Sequence, residues 1–172
     1  TEIAVPFTMS FNDKVWIAGI SNGKNSAIYS TDKKFEDERN FKDLSYSNFS
    51  YSDIYSSKAL GDEIWFGSEG RVIIYNQRKD FFRTLGFDKG IPIERIDFIE
   101  SLDDKVYIGS RNDLVVIDLN TKKIINSHIS SLIKQNNLFI DDFKIIGNRV
   151  FFFFFNKLYQ FDSQEKVNIE QG

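Results

Sequence analysis

No cysteine occurs in this 172-residue chain, which removes disulfides, zinc-thiolate sites and cysteine nucleophiles together. The compartment stays undecided, because a cysteine-free chain suits an oxidising space as well as a reducing one. A single histidine, His128, cannot build a histidine-rich metal centre. Proline and methionine are scarce, with two and one copies, whereas 18 phenylalanines and 7 tyrosines accompany many Ile and Ser residues. That balance favours β structure with polar turns over a helix bundle. Long hydrophobic runs are missing as well. The longest, Val150 to Phe155, lies between Arg149 and Lys157, far short of the roughly 18 apolar residues that span a bilayer, so no membrane insertion by this segment is expected. The formal charge of -3 supplies no global basic field, and no nucleic acid partner is expected. The opening "TEIAVPF" has no basic stretch followed by an apolar one. The expectation there is a removed signal or an excised fragment.

What is present is a repeat. "DKVWIAGISNGKNSAIYSTD", "DEIWFGSEGRVIIYNQRKD", "DKVYIGSRNDLVVIDLNTKK" and "NRVFFFFFNKLYQFDSQEK" share one plan. Each has a polar turn, a strand opening with a charged residue, Ile or Val and an aromatic, then a second turn and another strand. Trp16, Trp65, Tyr107 and Phe151 are the equivalent aromatics, about 49, 42 and 44 residues apart, which is the period of four-stranded propeller blades. Preceding strands are expected in "VPFTMSF", "DIYSSKAL", "RIDFIESL" and "DDFKIIG", and trailing ones in "FFRTL", "IINSHI" and "VNIEQ". The fold class is therefore all-β: a β-propeller with about four blades of four antiparallel strands visible, part of a larger propeller. The blades are expected at approximately 3–40, 50–86, 93–130 and 139–171.

The repeat places Phe151 to Phe155 on the second strand of blade four, where "WIAG", "WFGS" and "YIGS" sit in the others. Inner strands of a blade are covered on both faces, so the run reads as core with alternate rings on opposite faces. On that reading, removing the Phe153 ring costs about 3–5 kcal/mol. Lipid or partner docking is the rival reading.

The segment Ile64 to Ser68, with Gly70, Ile73 to Tyr75 and Gly90-Ile91-Pro92, resembles the propeller repeats of bacterial two-component regulators. The resemblance covers blades two and three well and the outer two loosely. Blade one carries an insertion after Gly19, and blade four lacks both the Gly-Ser pair and the Gly-Pro connection. The Gly-His and Trp-Asp signature of WD40 repeats and the paired glycines of kelch repeats are absent. The resemblance implies the extracytoplasmic sensory part of a bacterial hybrid histidine kinase, periplasmic or at the cell surface. It also implies further blades and signalling domains in the same chain, and such propellers occur in secretion-associated proteins too.

Little chemistry is legible. His128 sits on an expected outer strand, where a solvated side chain is the ordinary case. Asp103-Asp104 and Asp141-Asp142 fall at strand boundaries, where Asp favours turns. Asp118-Leu119-Asn120 begins like a calcium loop but lacks the glycine and the distal glutamate. Asn48-Phe49-Ser50 is a glycosylation sequon by pattern. No cofactor, metal site or catalytic set is expected, and the chain reads as a non-enzyme. Two features stand out. The turn between the second and third strands carries a cation in every blade, Lys24, Arg71, Arg111 and Lys157, and such turns emerge at one end together with the connections between blades. "SYSNFSYSDIYS" adds Tyr46, Tyr51 and Tyr55, with Phe49, either as stacking faces in the connection from blade one to two or as a strand that buries one aromatic face in the blade interface, just as the four cations read either as a binding rim or as solvated turn residues. The expected partner is a glycan or an anionic small molecule, or else a protein. A ligand-sensing module is the leading function, and a protein-interaction scaffold in a cell-surface or secretion assembly is the alternative.

Overall fold

The computed structural model describes residues 3–11, 14–21, 25–32, 42–43, 54–91, 93–154, 157–162, 164 and 167–170. Four antiparallel four-stranded sheets follow one another along the chain. The first holds β1 (Ile3–Phe11), β2 (Lys14–Ser21), β3 (Asn25–Asp32) and β4 (Lys42–Asp43). The second holds β5 (Ser56–Leu60), β6 (Glu63–Ser68), β7 (Arg71–Asn76) and β8 (Phe81–Gly86). The third holds β9 (Phe98–Leu102), β10 (Lys105–Gly109), β11 (Leu114–Asp118) and β12 (Ile124–Ile125). The fourth holds β13 (Asp142–Ile146), β14 (Arg149–Phe154), β15 (Lys157–Asp162) and β16 (Val167–Glu170). In every sheet the strands are neighbours in chain order, which is the up-and-down blade of a β-propeller. Trp16, Trp65, Tyr107 and Phe151 each lie on the second strand of their own sheet.

Period-two alternation gives each sheet two faces, and the packing uses them in a fixed order. In the second sheet Trp65 pairs with Ile74, and Val72 with Leu85, on one face. That face closes on Ile99, Val106, Ile108, Val115 and Ile117 of the third sheet. The other face of the third sheet carries Leu102, Tyr107, Leu114 and Val116, which meet Phe143, Val150, Phe152 and Phe161 of the fourth. Phe98 stacks on Phe143 across this seam, with ring centroids 4.6 Å apart and planes 8° apart. Each buried large side chain contributes about 1.5–3 kcal/mol, so the stack is held mainly by these two apolar layers.

Glycine marks the tightest approach. A Cβ on Gly67 would lie 2.2 Å from Ser56 Oγ and 2.8 Å from the carbonyl oxygen of Ile96, on the segment leading into the third sheet. Backbone cannot yield as a side chain can, so Gly67→Ala is expected to destabilise by about 1–3 kcal/mol. The shift of a denaturant midpoint measures it. Gly70, at φ +63 in the β6–β7 turn, is glycine for the usual left-handed reason.

A polar lock joins the second and third sheets at the opposite end. Glu63 opens β6 and accepts from Trp65 Nε1 at 3.0 Å and from Arg83 at 2.8 Å. Lys122, from the turn after β11, reaches the same carboxylate at 2.9 Å and lies 5.0 Å from the Trp65 ring centre. Burial alone would raise the Glu63 pKa. Hydrogen bonds from Lys122 and Trp65, with the charges of Lys122 and Arg83, outweigh it and hold the pKa below the ordinary value.

Two expectations are corrected. Strand β14 is covered on one face only: Val150 and Phe152 are fully buried, Phe151 is half-buried, and Phe153 is 46% exposed. Phe155 lies outside the described residues. Phe153 pairs with Asp142 and Leu158, on the face turned away from the third sheet, so its ring lacks the packing that would make its removal costly. The second correction concerns "IINSHI". Only Ile124–Ile125 form a strand, and His128 begins helix α1 (His128–Gln135), where it is exposed. Ser127 caps the helix, its side chain accepting from Ser130 N at 3.2 Å. Ile129 and Ile133, one turn apart, are buried in the layer between the third and fourth sheets. The spacing of Ile129, Leu132 and Ile133 after a Ser is a legible helix signal that outweighs the strand register.

Candidate functional site

One end of the sheets is built by a repeated backbone bond. The amides of Tyr55, Asp97 and Asp141, each just before a first strand, donate to Gly67, Gly109 and Phe153 at 2.9, 2.8 and 3.0 Å. Phe153 therefore stands where the other two sheets have glycine. Each lead-in segment is also tied to the turn of the preceding sheet. The Ile96 amide donates to Ser68 at 3.2 Å, the Gly70 amide to Glu94 at 2.7 Å, and the Ile140 amide to Arg111 at 2.7 Å. Turns between second and third strands thus meet the connections between sheets at this end. Along those connections apolar residues turn inward, as Ile93, Ile96, Leu138 and Ile140 do, and the residues between them face outward.

The outward residues at the seam of the second and third sheets form a closed set. Tyr55 Oη donates to Glu69 at 3.0 Å, the Arg95 guanidinium lies 4.9 Å from the Tyr55 ring centre, and Arg95 Nε donates to Asp97 at 2.6 Å. One face of Tyr55 is thereby covered by a cation.

The next seam is open. Between the third and fourth sheets lies a cleft of about 430 Å³, lined among others by Arg95, Asp97, Ser110, Arg111, Asp141 and Lys144. It shares Arg111 and Asp141 with a second hollow of about 260 Å³ that Phe139 and Phe154 complete. Phe139 in turn borders a third hollow of about 330 Å³, lined by Asn112, Asp113, Lys134 and Asn137, with Ile133 and Leu138. The three hollows adjoin through these shared residues, from the first strands towards the C-terminal turn of α1, and are together called the groove. Arg111 and Asp141 span its middle with N···O 3.6 Å, their side chains 73% and 48% exposed. So loose a pair contributes little to stability and can exchange its partners for a ligand. Phe139 is 45% exposed beside it.

Of the residues singled out from the sequence, Arg111 lines this groove. Arg71 and Lys157 open β7 and β15, half-buried and exposed, at the same end but outside the groove lining. Tyr55 lies beside the β6–β7 turn of its own sheet. Lys24, Tyr46, Tyr51, Phe49 and the Asn48 sequon lie outside the described residues. Sequence reasoning missed Arg95, Asp97, Phe139, Lys144 and Phe154. The first three belong to segments where polar or aromatic residues turn outward between buried apolar ones, a signal that becomes readable only once Ile93, Ile96, Leu138 and Ile140 are seen as the inward set.

Chemically, the groove offers donors and acceptors of both signs beside an aromatic face. Among the described residues no three His or carboxylate side chains gather as a metal set. Asp118 is engaged in its own turn, its Oδ1 accepting from Thr121 N at 2.6 Å, Thr121 Oγ1 at 2.8 Å and Asn120 N at 3.1 Å. These bonds, the Thr121 amide's first, hold its pKa below the ordinary value. Asp103, at φ 54, occupies the turn between β9 and β10.

No family model matches the sequence, and no curated protein matches it. Solved structures do. The extracellular domain of the putative one component system BT4673 from B. thetaiotaomicron is 15% identical with a TM-score of 0.62, over 100% of this chain and 28% of that one. PorZ, a bacterial surface component of the type-IX secretion system of Porphyromonas gingivalis, is 13% identical with a TM-score of 0.66, over 99% of this chain and 23% of that one. The Neurospora crassa Pan2 WD40 domain is 10% identical with a TM-score of 0.65, over 96% and 51%. At such identities the likeness establishes the β-propeller fold alone, and the chain spans about a quarter of the first two proteins' length.

Proposed function

We propose that the chain is a non-enzymatic recognition module, a segment of an extracytoplasmic sensor propeller of bacterial two-component type, and that it binds its ligand in the groove between the third and fourth sheets. The observation that carries this reading is the groove itself. It is a set of adjoining hollows at the end where the lead-in segments and turns converge, with Arg111 and Asp141 loosely paired there and Phe139 exposed beside them. Cations and carboxylates both line its inner part, so a ligand whose hydroxyls both donate and accept is matched better than one of single charge. An oligosaccharide meets that description. It places hydroxyls on Arg111, Asp141 and Lys144 and a C–H face on Phe139. The likeness in fold to the extracellular domain of a putative hybrid two component system supports the sensor setting.

Calorimetric titration of neutral and acidic oligosaccharides into wild type and an Arg111→Ala/Lys144→Ala variant tests the reading. Each charge-assisted hydrogen bond lost costs about 1.5–3 kcal/mol, so affinity should fall at least about tenfold. A neutral ligand should show little change between low and physiological salt, whereas an acidic one should weaken as its charges are screened. Unchanged affinity for every bound sugar in a folded variant would remove the groove from consideration. The second reading, a protein-interaction scaffold, is favoured by the likeness to a surface component of a secretion system. It gains if no oligosaccharide binds wild type while a protein partner binds the same end and is lost with Arg111→Ala/Lys144→Ala.

A further inference from the structure

The strand that closes the third sheet stops early. β12 pairs only with Val116 and Ile117 of β11, whereas β8, the same strand of the second sheet, pairs with β7 along all six of its residues. Where β12 would run on, Ser127 caps helix α1 instead. The space between the shortened strand and the helix is a hollow of about 240 Å³, lined among others by Leu114 of β11, by Ile124 and Asn126, and by Ser130 and Ser131 of α1. Gly90, at φ +82 in the connection from the second sheet, stands at its edge, and a Cβ there would lie 3.2 Å from Ile124 Cδ1. Glycine keeps this side of the hollow open.

This hollow adjoins the groove. Asp113, Ile133 and Lys134 line both it and the hollow that Phe139 borders. Ile133 is buried, so the part of the boundary that a ligand can touch is Asp113, half-buried, and Lys134, exposed. Neither has an ion-pair partner among the described residues. On the wall, Ser130 Oγ is buried and has no hydrogen-bond partner among the described residues, a cost that an occupant of the hollow relieves by bringing a polar atom to it. Ile124, 41% exposed, adds an apolar patch, and Asn126 an exposed amide. A sugar ring has the complementary make-up, a C–H face and a rim of hydroxyls that donate and accept. A bare anion would meet Asp113 as well as Lys134, and a wholly apolar ligand would leave Ser130 unpaired. Resting on the reading of the groove as an oligosaccharide site, we infer that this hollow is its terminal subsite and that the ligand is a chain of at least four sugar rings. The groove has three hollows and this is the fourth, each of them far smaller than the larger whole-ligand pockets of up to about 1,000 Å³. One ring occupies each, and the chain crosses into the last over Asp113 and Lys134.

Chain length is the variable that tests it. Cello-, malto-, laminari- and polygalacturonate oligosaccharides of two to six rings are titrated calorimetrically into wild type, Asn126→Trp and Ser131→Phe. Asn126 and Ser131 are exposed and line this hollow but none of the other three, so a large side chain at either fills it and spares the groove. A thermal melt shows that each variant is folded, and either one suffices. In the series that binds, wild-type affinity should rise up to at least four rings. The last step should add about tenfold or more, because hydrogen bonds to the charged Asp113 and Lys134 are the stronger kind. Asn126→Trp and Ser131→Phe should bring chains of four to six rings down to the affinity of three, with two- and three-ring chains unchanged. A rise that ends at three rings overturns the inference, as does a rise that survives the filled hollow or a loss equal at every length. Those three outcomes leave the groove standing, since Arg111→Ala/Lys144→Ala should weaken chains of every length. Failure of all four series to bind wild type overturns the subsite and the groove together.

Discussion

Phe152→Ala should cost about 3–5 kcal/mol in a denaturant melt of the 172-residue chain, whereas Phe153→Ala, one residue on, should cost less than about 1 kcal/mol. Phe152 is fully buried, stacked on Tyr159 at 4.9 Å and on Phe161 at 5.5 Å, so its removal leaves a cavity inside the layer between the third and fourth sheets. Phe153 points the other way, into water. Its neighbours keep their contacts when the ring goes. Equal losses in the 172-residue chain would mean that β14 is covered on both faces there, contrary to the exposure of Phe153.

The second large effect is expected at Glu63. Its side chain is 15% exposed, and Glu63→Ala leaves Lys122, 14% exposed, and Arg83 facing an empty site. Removing one partner from so enclosed a network should cost about 3 kcal/mol or more. The Trp65 Nε1–H loses its acceptor as well. The pH dependence has a definite sign. The Glu63 pKa is lower folded than unfolded, so its stabilisation is complete above the unfolded value and is lost as pH falls through the folded one. Wild type should therefore lose stability below about pH 4 more steeply than Glu63→Gln. Parallel acid titrations of the two, followed by far-UV circular dichroism, measure the difference, and superimposable curves would take Glu63 out of the acid transition.

The blade plan was legible because it depends on local rules repeated several times. Alternation, polar turns and an aromatic at the third residue of each second strand recur at about 42 to 49 residues, and a pattern repeated so often resists chance. Helix α1 escaped because the repeat predicted a strand where Ser127 and the spacing of Ile129, Leu132 and Ile133 specify a short helix. The local signal was present, but the period was given more weight. The groove escaped for a different reason. Arg111 belongs to a turn and was found by position, whereas Arg95, Asp97, Phe139 and Lys144 come from segments that approach it across a seam. No spacing in the chain encodes that meeting, and Tyr55 turned out to face the neighbouring seam instead.

By itself the sequence determined the first three strands of each sheet, their order, and the equivalence of Trp65, Tyr107 and Phe151. Those follow from hydrophobic period and chain connectivity, which are properties of neighbouring residues. Only the tertiary structure decided which face of each strand is covered. Burial is a property of what lies opposite, so Phe152 and Phe153, identical in type and adjacent in sequence, differ because the third sheet packs against one and not the other.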